Sequence, residues 1–163
     1  MIRIGVVGYG YWGPNLVRNF GETHGASVVA VADLDRSKLA SLARRYPAIK
    51  LTTDFTELLS DPNIDAIAVA TPVQTHYELG LAALRAGKHL WMEKPMTQTV
   101  AQAKRLVDEA ARRRLTLLVD HTFIYTGAVA KMGDLIRSGD LGCILYYDSV
   151  RVNLGLFQRD VGV

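Results

Sequence analysis

Three glycines spaced as Gly8-Tyr9-Gly10-Tyr11-Trp12-Gly13 directly follow the apolar run Ile2–Val7 and precede a segment of helical spacing. A G-x-G-x-x-G in that position suits a pyrophosphate. Gly8 permits the tight turn, Gly10 lets backbone approach the phosphates with no Cβ in the way, and Gly13 allows helix to pack closely on strand. The helix start then offers free N–H groups and the positive end of its dipole. Asp33 stands twenty positions after Gly13, at the end of the second apolar run, the spacing of a carboxylate that binds a ribose. The pairing predicts a dinucleotide site. Asp33 favours NAD, because a carboxylate accepts from a 2′-hydroxyl and repels a 2′-phosphate; nearby Arg36 offsets part of that repulsion and leaves NADP open. Tyr11 and Trp12 either lie over the cofactor or pack beneath the helix, and both options stand at this point.

A second set of candidates follows the later strands. In an open α/β sheet the ligand lies beyond the carboxyl ends of the strands, so the residues immediately after each strand carry the chemistry. Those are Thr71-Pro72-Val73-Gln74-Thr75-His76 after the fourth and Glu93-Lys94-Pro95 after the fifth. Proline confines Lys94 to extended backbone and permits a cis Lys94–Pro95 bond. An ammonium fixed there would hydrogen-bond a substrate hydroxyl and stabilise negative charge developing on its oxygen as hydride leaves the carbon. Read alone, Lys94 is equally a surface cation paired with Glu93. His76 near a helix start reads as a cap or a satisfied surface group as readily as a ligand contact.

The elements that must position these residues alternate short β-branched runs with helical segments, the pattern of a parallel sheet covered on both faces. Strands are expected at Ile2–Val7, Val28–Ala32, Lys50–Thr52, Ala66–Ala70, His89–Met92 and Leu115–Val119. Asp35 is placed to cap a helix over Arg36–Arg45, and Thr99 with Gln102 forms a capping box before Val100–Arg113. Arg112, Arg113 and Arg114 suit the negative end of that helix better than a nucleic-acid patch, since no second basic cluster accompanies them. Beyond Val119 the pattern changes. A helix near Gly127–Ser138 closes at Gly139, and Ile144–Leu154 reads as a long strand with Cys143 as a small core residue at its start.

These residues resemble the Gfo/Idh/MocA family of NAD(P)-dependent oxidoreductases. The likeness rests on Gly8–Gly13, Asp33, Ala70-Thr71-Pro72 with His76, and above all Glu93-Lys94-Pro95; it extends through His121–Tyr125 and Asp148–Gln158. It implies a six-stranded, doubly wound parallel Rossmann α/β sheet over residues 1–122, and over 123–163 the helix and first strand of an incomplete α+β substrate domain. It also implies that Lys94 is the active-site lysine, with Thr71, Pro72 and Glu93 lining the nicotinamide half of the site. His76 would contact that region, and His121 would face the cleft or make a structural hydrogen bond. Family members typically add an antiparallel domain whose Asp-x-x-x-His pair supplies the general base. No such pair occurs here. The resemblance therefore implies hydride transfer between NAD(P) and a secondary alcohol of a sugar, cyclitol or nucleotide-sugar, incomplete in 163 residues; a non-catalytic NAD(P)-binding module is the alternative.

Composition bounds the rest. Of 163 residues, 49% are apolar and 21% charged, enough for a sizeable core, and the net charge of +3 implies no nucleic-acid partner. One cysteine and four scattered histidines leave neither an intramolecular disulfide nor zinc-ligand spacing, and a cytoplasmic protein is expected. No signal peptide or membrane span is read in the apolar runs. Nucleophile-elbow and zinc-hydrolase motifs are absent from the sequence. An unpaired edge on the trailing strand would favour a homo-oligomer.

Overall fold

The computed structural model describes residues 1–150 and 152 of the chain, which divides into two compact units, Met1–Asp120 and His121–Val163. In the first, six parallel strands, β1 (Ile2–Val7), β2 (Ala26–Ala32), β3 (Lys50–Thr52), β4 (Ala66–Val69), β5 (His89–Met92) and β6 (Leu117–Val119), lie in the order β3-β2-β1-β4-β5-β6. Five helices connect them: α1 (Gly13–Glu22), α2 (Arg36–Arg45), α3 (Phe55–Ser60), α4 (Val73–Arg85) and α5 (Val100–Arg113). The chain winds outward from β1 through β3, returns to β4, and continues the other way. The reversal falls between β1 and β4, where a crevice opens at the carboxyl edge of a doubly wound sheet.

Side-chain alternation divides the interior into two cores. Ile4, Val6, Val31 and Ala68 face Leu16 and Val17 of α1 and Leu39 and Leu42 of α2. Val7, Ala32, Ile67 and Val69 face the other way, toward Leu58 of α3, Leu84 of α4 and Leu106 of α5. The central strands are apolar on both faces because both faces are covered, as continuous rather than alternating runs foretell. Away from the site, two partners tie down the amino edge. Arg3 grips Asp65 through both carboxylate oxygens at 2.7–3.0 Å, and this holds the Asp65 carboxyl well below the usual carboxylate range. The buried Lys88 ammonium donates to the carbonyls of Asp61 and Ile64 at 2.7 and 2.8 Å, pinning the loop that enters β4.

Helix starts largely agree with the sequence reading. Asp35 accepts from the Ser37 amide at 2.8 Å, and Thr99 accepts from the Gln102 amide at 3.2 Å. The capping box is half made, since the Gln102 Oε1 atom is buried without a partner. Arg112 and Arg113 both pair with Glu109, and Arg114 ends α5 in left-handed backbone at φ 57°.

In the second unit, a 3-10 turn over Thr122–Tyr125 leads into α6 (Gly127–Ser138), which Gly139 terminates at φ 80°. The expected strand over Ile144–Leu154 does not form across 144–150; residues 151, 153 and 154 lie outside the described ones. An isolated strand leaves its N–H and C=O groups without ladder partners, and no described residue pairs with this one. Cys143 is correspondingly exposed rather than a core residue. Among the described residues no helix is long and apolar enough to cross a membrane.

Candidate cofactor and active site

Backbone hydrogen bonds that run one residue past β1, β2, β4, β5 and β6 assemble the site. The Gly8 amide donates to Ala32 O (2.9 Å), Asp33 to Thr52 O (3.2 Å), Ala70 to Val7 O (2.8 Å), Glu93 to Val69 O (3.0 Å) and Asp120 to Met92 O (2.9 Å). The glycine loop, Asp33, Thr71, Glu93 with Lys94, and Asp120 therefore share one edge of the sheet. Local sequence alone cannot align them; the parallel register does.

The three glycines have three different reasons. Gly8 sits at φ 94°, where an L side chain is strained, and a Cβ there would meet Ala70 O at 2.7 Å. At Gly13 a Cβ would collide with the Gly8 carbonyl oxygen. At Gly10 it would meet nothing within 4 Å. The fold itself thus demands Gly8 and Gly13 but not Gly10, which borders an open cradle. Beside that open space begins α1, whose N-cap, Trp12, gives no side-chain cap, as is also true of α4 at this same edge, while α2, α3 and α5 are capped by Asp35, Asp54 and Thr99. Pro14 has no N–H and the Asn15 and Leu16 amides donate to Trp12 O, so the amides from Gly10 to Gly13, beside the open space at Gly10, are the ones that fit a diphosphate.

The aromatic residues of the loop separate. Tyr9 and Trp12 are partly buried and pack against the core on the α1 face. Tyr11 is 69% exposed and stacks on Trp12 with ring centroids 6.2 Å apart. Trp12 thus packs beneath the helix, leaving Tyr11 at the surface. Asp33 does more than the spacing foretold: one carboxylate oxygen accepts the Tyr9 amide at 2.6 Å and the other the Asp35 amide at 2.8 Å. It fastens the glycine loop to the end of β2, and lone pairs remain on both oxygens for a further donor. Beside it, Arg36, Leu39, Leu51, Thr52 and Thr53 line a recess of about 340 Å³. Sequence reasoning missed this recess, because Thr52 and Thr53 carry no motif and matter only through the pairing of β3 with β2.

At the other half of the edge, Lys94 is exposed and forms no ion pair or side-chain hydrogen bond among the described residues. No close ion pair with Glu93 forms, although the Lys94 amide donates to the Glu93 carboxylate and the Lys94 charge lowers its pKa slightly against the larger upward effects. The Lys94–Pro95 bond is cis. Glu93 faces Asp120 instead; burial, then the Asp120 charge, push the Glu93 carboxyl up to about 6 from its ordinary 4.5. Asp120 went unnoticed in the sequence, although the rule that singled out the residues after β4 and β5 applies equally after β6. The folded state binds this proton more tightly than the unfolded chain, so the contribution of Glu93 to stability is full below about pH 4.5 and is lost as pH rises through about 6. Glu93→Gln should therefore flatten the fall in melting temperature across that window; an unchanged slope would place the titration elsewhere.

Thr71 and His76 are tied into the turn after β4. Thr75 Oγ donates to Pro72 O at 2.8 Å, so in the 2.7 Å contact between the two hydroxyls Thr71 is the donor and keeps its lone pairs as acceptors. His76 is 1% exposed, with Nε2 2.8 Å from Thr71 O and Nδ1 2.9 Å from Pro95 O. It does not cap α4, and its two ring nitrogens are occupied within the protein. His121 opens the second unit, exposed, at the start of the 3-10 turn.

Comparison with known proteins bears on the family and the fold. A family model described as an oxidoreductase family with an NAD-binding Rossmann fold matches residues 2–121. An inositol 2-dehydrogenase from Acidothermus cellulolyticus is 34% identical over 143 residues, 86% of this chain and 42% of that protein. A dTDP-3,4-didehydro-2,6-dideoxy-alpha-D-glucose 3-reductase from Saccharopolyspora spinosa is 33% identical over 150 residues, 91% of this chain and 45% of that one. In fold the chain is similar to scyllo-inositol dehydrogenase from Lactobacillus casei, solved with bound NAD(H) and scyllo-inositol; the TM-score is 0.81 at 22% identity, covering 87% of this chain and 42% of that one. The chain spans less than half the length of each. On the family match over residues 2–121, this chain belongs to the Gfo/Idh/MocA oxidoreductases through their NAD-binding Rossmann domain.

Proposed function

We propose that this chain is the cofactor-binding part of an NAD(P)-dependent oxidoreductase that moves hydride between nicotinamide and a secondary alcohol of a sugar, cyclitol or nucleotide-sugar. The observation that carries the reading is one shared edge holding both an open, side-chain-free cradle at Gly10 and an unpaired ammonium at Lys94. The diphosphate rests on the amides from Gly10 to Gly13, and Asp33 receives the adenosine ribose beside the recess at Arg36 and Thr52. Thr71, Pro72 and Glu93 flank the nicotinamide half. When bound, the nicotinamide supplies the hydride acceptor or donor. Lys94 donates a hydrogen bond to the substrate oxygen and offsets its negative charge as the C–H bond breaks. Residues 121–163 begin, on this reading, a second unit of the substrate-handling kind. The self-association expected from an exposed strand at 144–154 loses its support over 144–150, where no strand forms.

Lys94→Ala in the full-length enzyme should leave NADH affinity within about twofold while lowering turnover by about a hundredfold or more, the scale of removing one donor to a developing oxyanion. Equal loss of binding and turnover would make the lysine structural. Screening polyols, sugars and nucleotide-sugars with NAD separates an enzyme from a binding module, since a module binds without turning over any of them. Asp33→Ala should weaken NAD by about tenfold, the scale of one charge-assisted hydrogen bond, and NADP by less. Equal weakening of the two would leave Asp33 only its part in holding the loop.

A further inference from the structure

We propose that His76 is a positioning residue, a buried strap that holds the turn after β4 and the turn after β5 at the spacing the nicotinamide half of the cofactor requires. The inference rests on that half lying at this edge. Its geometric basis is that a single ring spans two turns belonging to different strands. His76 Nε2 lies 2.8 Å from the carbonyl oxygen of Thr71, the first residue of the segment after β4. Its Nδ1 lies 2.9 Å from the carbonyl oxygen of Pro95, which directly follows Lys94. Both oxygens are acceptors and each lies within hydrogen-bond distance of one ring nitrogen; the ring N–H donates to one of them, and the tautomer decides which.

The strap matters because it joins the two turns to each other, whereas the Thr75 hydroxyl holds only the first and the Lys94 amide, bonded to the Glu93 carboxylate, only the second. The Lys94 side chain makes no hydrogen bond or close ion pair among the described residues and feels only the charge of neighbouring Glu93, so its position is set largely by its backbone neighbours. On one side the Glu93 amide is held by Val69 O at 3.0 Å; on the other, Pro95 O is held by His76. Thr71 is bounded in the same way, by the Ala70 amide bonded to Val7 O before it and by His76 at its own carbonyl. With 1% of its surface exposed, the ring lies behind the edge and leaves the cofactor face to Thr71, Pro72 and Glu93. A histidine read from sequence as a cofactor contact is thus one step removed, acting through the residues it spaces.

Two substitutions each keep one link. His76→Asn places an amide N–H near the Nδ1 position and can retain Pro95, while His76→Gln places one near Nε2 and can retain Thr71. The discriminating readout is the affinity for NADH set against that for ADP-ribose, which fills only the adenosine and diphosphate half. In both variants ADP-ribose affinity should stay within about twofold of the parent, while the extra affinity for NADH falls by about tenfold, the scale of one lost buried hydrogen bond. A proportional loss of both ligands, or of folded protein in both variants, would assign the ring to the fold alone and overturn the proposal, as would unchanged affinities. If the parent binds ADP-ribose but gains nothing from the nicotinamide, the reading on which the strap depends fails, a result distinct from the others.

Discussion

Gly13→Ala is expected to destabilise the first unit by about 3 kcal/mol and to abolish cofactor binding with it, the upper range for forcing an atom into a packed site. The added methyl group would collide with the Gly8 carbonyl oxygen and lie 3.1 Å from its carbon, both atoms of backbone. A flexible side chain could swing aside; this carbonyl cannot. It belongs to the turn whose amide donates to Ala32 O and whose next amide donates to Asp33. Relief requires either lifting α1 off β1 or breaking the loop from β2. In a domain of this size the melting temperature should fall by about 10 °C. A variant that melts with the parent and binds NADH normally would show that the loop is looser than its hydrogen bonds imply.

Gly10→Val should give the opposite pattern, with stability within about 1 kcal/mol of the parent and NADH affinity reduced by at least about a hundredfold. The backbone at Gly10 is not in the left-handed region, and no heavy atom lies within 4 Å of where a Cβ would stand. The fold therefore has no objection to a side chain there. A diphosphate seated on the loop amides has one, because the isopropyl group would fill the approach that the missing Cβ leaves open. The two glycines, three residues apart in one motif, thus separate folding from binding. Circular dichroism melts beside fluorescence titrations of Trp12 and Trp91 measure both quantities on the same samples; retained NADH affinity in Gly10→Val would remove the diphosphate from this loop.

The sequence carried what local chemistry specifies. Strands β1, β3 and β5 and helices α2, α5 and α6 fall at the predicted boundaries, because apolar runs, caps at Asp35 and Thr99 and the terminator Gly139 are written within a few residues of the elements they define. What depends on distant pairing was harder to read. Asp120 faces Glu93 only because β6 pairs with β5, and the Thr52 recess exists only because β3 lies beside β2. His76 was legible as a candidate but not in its role, since Pro95 lies nineteen residues away and only the fold brings its carbonyl to the ring. The strand expected at Ile144–Leu154 does not form over 144–150, for the same reason in reverse: β-branched sequence favours extended backbone, and a ladder partner must still be present.

Calorimetric titration of the folded chain with NADH tests the central claim most directly. The account predicts saturable one-to-one binding that ADP-ribose displaces competitively, since both share the cradle at Gly10 and the carboxylate of Asp33. Absence of heat from millimolar NADH, on protein whose cooperative melt shows it to be folded, would contradict it.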